Sequence, residues 1–282
     1  MLTRQPCASQ FYQGDCKAQM EAYAIGFTPP EAPKRIVAGI VPHAGWFFSG
    51  ATAAKVFLSI RARRDVDTFI LFGSVHVPGV RENSLYAEGA WDTPLGPVHV
   101  DLVEAELLLD ELSDVLVADT RAHKFEHSIE VQLPMIKHLF PQAKILPIAV
   151  PPGENAVELG DRIGRRLREV KKEIAVVGTS DLTHYGDNYG FAPAGYGKPG
   201  HEWMVKNDRR MIELALKVKA DEILAEAAAN QNACGPGALA AAVAAAGAMG
   251  AKKGHLIEHT TSFDVYPMGE FDMGVGYAGI VF

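Results

Sequence analysis

Histidine, cysteine and aspartate recur in this chain where short apolar runs stop. The run RIVAGIVP ends at His43, TFILFGSV ends at His76, and EIAVVGTS ends at Asp181, with His184 a little further on. Cys234 sits in NACGPG, directly before an alanine-rich stretch whose helix N-terminus would favour a thiolate. Imidazoles and a thiolate bind transition metals, and an imidazole beside a carboxylate moves protons. Asp181 and His184 are spaced to share one side of a helical turn, where the carboxylate would fix the ring's tautomer. In HKFEHSIEVQLP, His127 at a helix start can turn its ring to the same pocket, while Glu126 and Glu130 suit caps or outer-shell groups. Glu258, in HLIEHTTSFD, is a late carboxylate better suited to an ordinary strand-end role than to metal ligation. Each residue alone also has a plain reading: a locally satisfied histidine, an Asp N-cap, a small buried cysteine at a tight turn.

Chemistry at one place requires elements that bring these segments together. Apolar runs bounded by Gly, Pro or Ser read as strands covered on both faces, hence a parallel sheet flanked by helices. Ligands in such sheets bind outside the carboxyl ends of the strands, which is where all three runs deliver their polar residues. The spacing predicts strands over 35–42 and 67–75, with Ser49 and Gly50 opening the helix between them. A hairpin follows around Thr93-Pro94-Leu95-Gly96, then a helix from about Asp101 to Leu112 and a short strand in VLVADT. HSIEVQLPMIKHLF reads as an amphipathic helix kinked or cut short by Pro134. KILPIAV, a helix over about 154–170, and EIAVVGTS continue the alternation. Two helices over about 201–230, the alanine-rich helix from about Pro236, and strands in HLIEHTTSFDV and GVGYAGIVF close the chain. The expectation is one α/β domain over residues 1–282, with 1–34 an irregular or short-helical lead-in.

Composition narrows the partners. With 282 residues, 48% of them hydrophobic and 22% charged, the chain can bury a large core. A net charge of −7 argues against a nucleic-acid partner, which needs a basic face. The three cysteines lack CxxC spacing, so they form neither a disulfide framework nor a zinc ribbon, and a reducing cytoplasm is expected. The alanine-rich stretch is broken by Pro236 and glycines; it reads as a tightly packed internal helix, not a membrane span. No GxxxxGK[ST] element is present to support a nucleotide site.

Taken together, PHAGW, GSVH, EHSIEVQLP, GTSDLTHYG, the Cys234-Gly235 pair and TTSFD resemble the Memo family, often labelled AmmeMemoRadiSam system protein B in bacteria and archaea. The resemblance covers nearly the whole chain from residue 35 onward and implies a class III extradiol dioxygenase-like fold. It implies a metal site on His43, His76 and Cys234, with Fe(II) the first expectation and Cu or Zn the alternatives. The cysteine stands where the dioxygenases use a glutamate. Asp181 and His184 would be the catalytic pair, with Trp46, His127 and Ser180 lining the pocket. Trp46 and Phe263 replace the tyrosine of PHAGY and the glycine of TSGD common in the family, and are expected to reshape the pocket. The implied activity is a non-haem iron or copper oxidoreductase acting on a small oxygenated molecule. Alternatives are a non-catalytic metal- or peptide-binding regulatory module, and a Cys/His or Zn-dependent hydrolase. A radical SAM partner is implied by the resemblance alone, and the oligomeric state is left open.

Overall fold

The apolar runs form the middle of one sheet. In a computed structural model describing residues 2–31 and 33–282, the strands are β1 (Thr3–Arg4), β2 (Ala38–Val41), β3 (Thr68–Gly73), β4 (Ser84–Leu85), β5 (Ala90–Trp91) and β6 (Val98–His99). They continue with β7 (Val117–Ala118), β8 (Lys144–Ala149), β9 (Ile174–Thr179), β10 (His184–Tyr185), β11 (His255–Thr261) and β12 (Gly274–Val281). The helices are α1 (Cys16–Ala24), α2 (Ala51–Arg61), α3 (Leu102–Glu111), α4 (Leu133–Leu139), α5 (Asn155–Leu167), α6 (Gly197–Leu216), α7 (Ala220–Asn230), α8 (Pro236–Ala248) and α9 (Ser262–Val265).

Across the main sheet the order is β12, β2, β9, β3, β8, β4, β7, with β10 and β11 both on β12. β2, β9, β3 and β8 are mutually parallel, whereas β12 and β4 run antiparallel to β2 and β8. The sheet is therefore mixed, with a parallel centre. Because β2, β9 and β3 are adjacent and parallel, the segments after them leave the sheet at one edge, side by side. That adjacency brings His43, Asp181 and His76 into one neighbourhood.

Each central strand is buried on both faces, as its unbroken apolar run demands. Ile70 and Phe72 of β3 join one core with α3, α5, α6, α7 and α8; Phe69 and Leu71 join the other with α1, α2 and α4. The alanine-rich α8 is buried from Gly237 to Ala246, between α5 and the sheet. A Cβ on Gly160 would fall 2.1 Å from the Ala241 carbonyl oxygen, so the small residues of both helices set how closely they pack. None of the described helices is long and apolar enough to cross a membrane.

Several local expectations are corrected. The lead-in is short-helical, with Asp15 capping α1, but it also supplies β1, which joins the β5–β6 hairpin in a small separate sheet. Ser49 does not cap α2; it lies within a π-helical turn, Trp46–Gly50, and donates to the Ala44 carbonyl. Pro134 neither kinks nor cuts a helix. It occupies the first turn of α4, where the missing N–H costs nothing, and a 3-10 turn at Glu130–Gln132 precedes it. The last part of HLIEHTTSFDV leaves the strand as α9, started by a capping box between Thr261 and Asp264. A bulge between Leu256 and Glu258 also shifts the register of β11 against β12.

Candidate metal centre

His43 follows β2 through Pro42 and is 2% exposed. Its backbone N–H donates to Asp181 Oδ1 at 2.7 Å, and Ala44 N–H reaches the same oxygen at 3.3 Å. Asp181 thus clamps the loop that presents His43. Cys234 is held by its own N–H on the Asp181 carbonyl at 3.2 Å, while Gly235 N–H donates to Ser180 Oγ at 3.0 Å. A Cβ at Gly235 would sit 1.8 Å from Ser74 Oγ, so only glycine lets the cysteine loop approach the ends of β3 and β9 this closely.

These anchors put Cys234 Sγ 3.1 Å from His43 Nε2. One donor atom each from His43, His76 and Cys234 lies within 4.8 Å of the others. The His43 ring stands edge-on to His76 (5.1 Å between centroids) and to His127 (5.4 Å), and the His76 and His127 rings stack at 4.7 Å. The three sequence-predicted donors and His127 are therefore brought together.

A second set, His76, Glu126 and His127, meets the same 4.8 Å spacing. Glu126 Oε1, however, already accepts from His76 Nδ1 at 3.0 Å and from the His127 and Ser128 N–H groups at 2.9 Å each. Its Oε2 accepts the His76 N–H at 2.6 Å. A carboxylate so committed orients a ligand better than it serves as one.

The electrostatics suit a cation between the donors. Burial, then the His76 and His127 rings, pushes the His43 imidazole well below its ordinary range, so it is neutral and free to donate a lone pair. Burial, with the Asp181 charge next, pushes the Cys234 thiol far up; a thiolate there needs a positive partner that neutral His43 does not supply. A sulfur about 2.3 Å and a nitrogen about 2.1 Å from one ion lie about 3.1 Å apart at a right angle and about 3.6 Å apart at the tetrahedral angle. The observed 3.1 Å separation matches the right-angle value and is equally the length of a thiol hydrogen bond to His43 Nε2.

Other expected site residues take different places. Asp181 does not bond to His184, whose Nδ1 instead meets the Leu182 carbonyl at 3.1 Å. The helical turn that would have paired them does not form, because Leu182 and Thr183 run extended beside β12. Burial pushes the Asp181 carboxyl up, to about 6, against the pull of the His43 amide and the His184 ring. Ser180 positions the Cys234 loop through Gly235 and stands 4.0 Å from the sulfur. Trp46 is core: it is 2% exposed, and its indole N–H donates to the Val131 carbonyl at 2.8 Å. Phe263 packs on His201 and Phe271. Glu258 pairs with Lys55 and Thr52, the ordinary role expected of it.

A family model described as Memo-like protein matches residues 4–281. The chain belongs to the Memo family. Relatives described as MEMO1 family proteins include one from Pyrococcus furiosus, 33% identical over 100% of this chain and 99% of its own, and one from Thermococcus onnurineus, 34% identical with the same coverage. An uncharacterized protein from Escherichia coli K12 shares the fold, with a TM-score of 0.58 and 14% identity over 87% of this Memo-family chain and 99% of its own.

Glu126 gives this Memo chain an acid sensitivity. Burial would raise its carboxyl, yet the His76 ring and the surrounding N–H groups hold it down, to about 2. A carboxylate depressed in the folded state stabilises above its unfolded pKa, and that stability is lost as pH falls through the folded value. Between about pH 4.5 and 2, denaturant unfolding should lose of the order of 3 kcal/mol through this group. Glu126→Gln should flatten that part of the pH profile; an unchanged slope would contradict the assignment.

Proposed function

We propose that the protein holds one Fe(II) or copper ion on His43, His76 and Cys234 and acts as an oxidoreductase on a small oxygenated molecule. The convergence of these three donors within 4.8 Å carries the reading. Two neutral imidazoles and a thiolate suit iron, copper or zinc, and the thiolate adds weight to copper. Such an ion, when bound, supplies one-electron chemistry and a place for O₂ beside the substrate.

The remaining residues would handle protons and position. The Leu182 carbonyl can only accept, so His184 carries its hydrogen on Nδ1 and keeps Nε2 as a base. Tyr189 stands edge-on to that ring at 4.9 Å. Asp181 keeps the His43 loop in place. A thiol hydrolase has less support: the thiol's imidazole neighbour is His43, whose lowered basicity makes it a poor proton acceptor, and the groups around the half-buried sulfur oppose a thiolate.

A second reading, a metal-holding module that docks a peptide, is favoured by exposed aromatics next to the His43 loop. Phe47 is 66% and Tyr266 52% exposed, with their rings 5.6 Å apart. Metal analysis of anaerobically purified protein, followed by O₂ uptake with a panel of catechols and other phenols, separates the readings. About one iron or copper per chain with O₂ uptake supports the oxidoreductase. Bound metal without uptake favours the module. Failure to bind either metal at micromolar concentration overturns both.

A further inference from the structure

We infer that Glu126 is the positioning residue of the metal centre: its single carboxylate sets the tautomer and direction of His76 and holds the His127 ring against it. The inference rests on the reading of His76 as a ligand. Glu126 is 1% exposed and comes from a segment fifty residues away in sequence, yet it grips His76 at two points. Oε2 accepts the backbone N–H at 2.6 Å, and Oε1 lies 3.0 Å from ring Nδ1. An ionised carboxylate only accepts, so Nδ1 must carry the hydrogen and Nε2 is left with its lone pair. Two attachments to one residue also fix the ring's rotation, which a lone ring contact would not.

The same Oε1 takes the N–H groups of His127 and Ser128, so the turn after Glu126 is built around its own side chain. That turn lays the His127 ring on His76 at 4.7 Å, with 24° between the planes. Among the described residues, every group that hydrogen-bonds to the carboxylate is an N–H donor. A glutamine there must turn its NH₂ toward at least one of them, so the nearly isosteric exchange breaks the arrangement without opening a cavity.

Two measurements test this. In metal-free wild-type protein, long-range ¹⁵N–¹H NMR at a pH where His76 is neutral should show the Nδ1–H tautomer. Co(II) affinity, measured by chelator competition, should fall about 10–100-fold in Glu126→Gln, with a changed Co(II) ligand-field spectrum. The Nε2–H tautomer in wild type would overturn the inference. So would a folded Glu126→Gln protein with unaltered tautomer and affinity. If that variant does not fold, the wild-type tautomer still decides. A wild-type protein that does not bind Co(II) would sink the metal reading, while the tautomer would report on Glu126 independently.

Discussion

Cys234→Ser is expected to weaken Co(II) and Cu(I) binding by more than about 100-fold and to abolish the sulfur-to-metal charge-transfer band of the Co(II) form. An outer-shell partner alone is worth about 10–100-fold, and the thiolate is a donor atom and the sole anion in the proposed set. A serine hydroxyl keeps its proton, so the variant site offers two neutral imidazoles and no charge to balance a divalent ion. Folding should survive: serine is slightly smaller, and the loop's anchors are backbone bonds from Cys234 and Gly235 to Asp181 and Ser180. The measurement also separates the two candidate donor sets. If binding persists unchanged in Cys234→Ser and is lost in His127→Ala, the ion belongs to His76, Glu126 and His127 instead.

The parts of this centre legible in the sequence were those that a strand end delivers. Apolar runs that need cover on both faces specify a central parallel sheet, and β2, β3 and β9 place His43, His76 and Asp181 at its carboxyl edge. Which carboxylate serves which imidazole was not legible, because that depends on contacts between distant segments. Short spacing suggested Asp181 for His184, but spacing pairs side chains only if the residues between them are helical, and here they are extended. Asp181 turned back to the His43 loop, and the histidine held by a carboxylate proved to be His76, paired with Glu126. The only local hint was Glu126 standing beside His127 in EHSIE. Trp46 misled for a related reason. A π-helical turn after PHAG points its indole into the core, and nothing in the composition of that segment announces such a turn.

The N-terminal segment supports the centre from behind, and Arg4 carries that support. Its guanidinium donates to Glu130 Oε2 at 2.7 Å, to the His123 carbonyl at 2.9 Å and to the Glu126 carbonyl at 2.9 Å, and lies 4.0 Å over the Trp91 ring. Glu130 in turn accepts from Cys7 N–H, Ala8 N–H and Tyr12 OH at 2.8–2.9 Å. Both members of the ion pair are buried, with 5% and 1% of their side chains exposed. Removing one member strands the other's charge, at a cost of about 3–5 kcal/mol. Arg4→Met should therefore lower the thermal midpoint by roughly 10 °C. Arg4→Lys should rescue little, since an ammonium cannot reproduce the planar fork that serves three acceptors at once. The loss should also reach the metal centre, because Arg4 ties down the segment that carries Glu126 and His127. Co(II) affinity of Arg4→Met, read well below its own midpoint, should fall in the same direction as that of Glu126→Gln. A midpoint within about 2 °C of wild type would mean that the pair contributes little net stability. A lowered midpoint with unaltered affinity would confine Arg4 to folding and uncouple the N-terminal strut from the site.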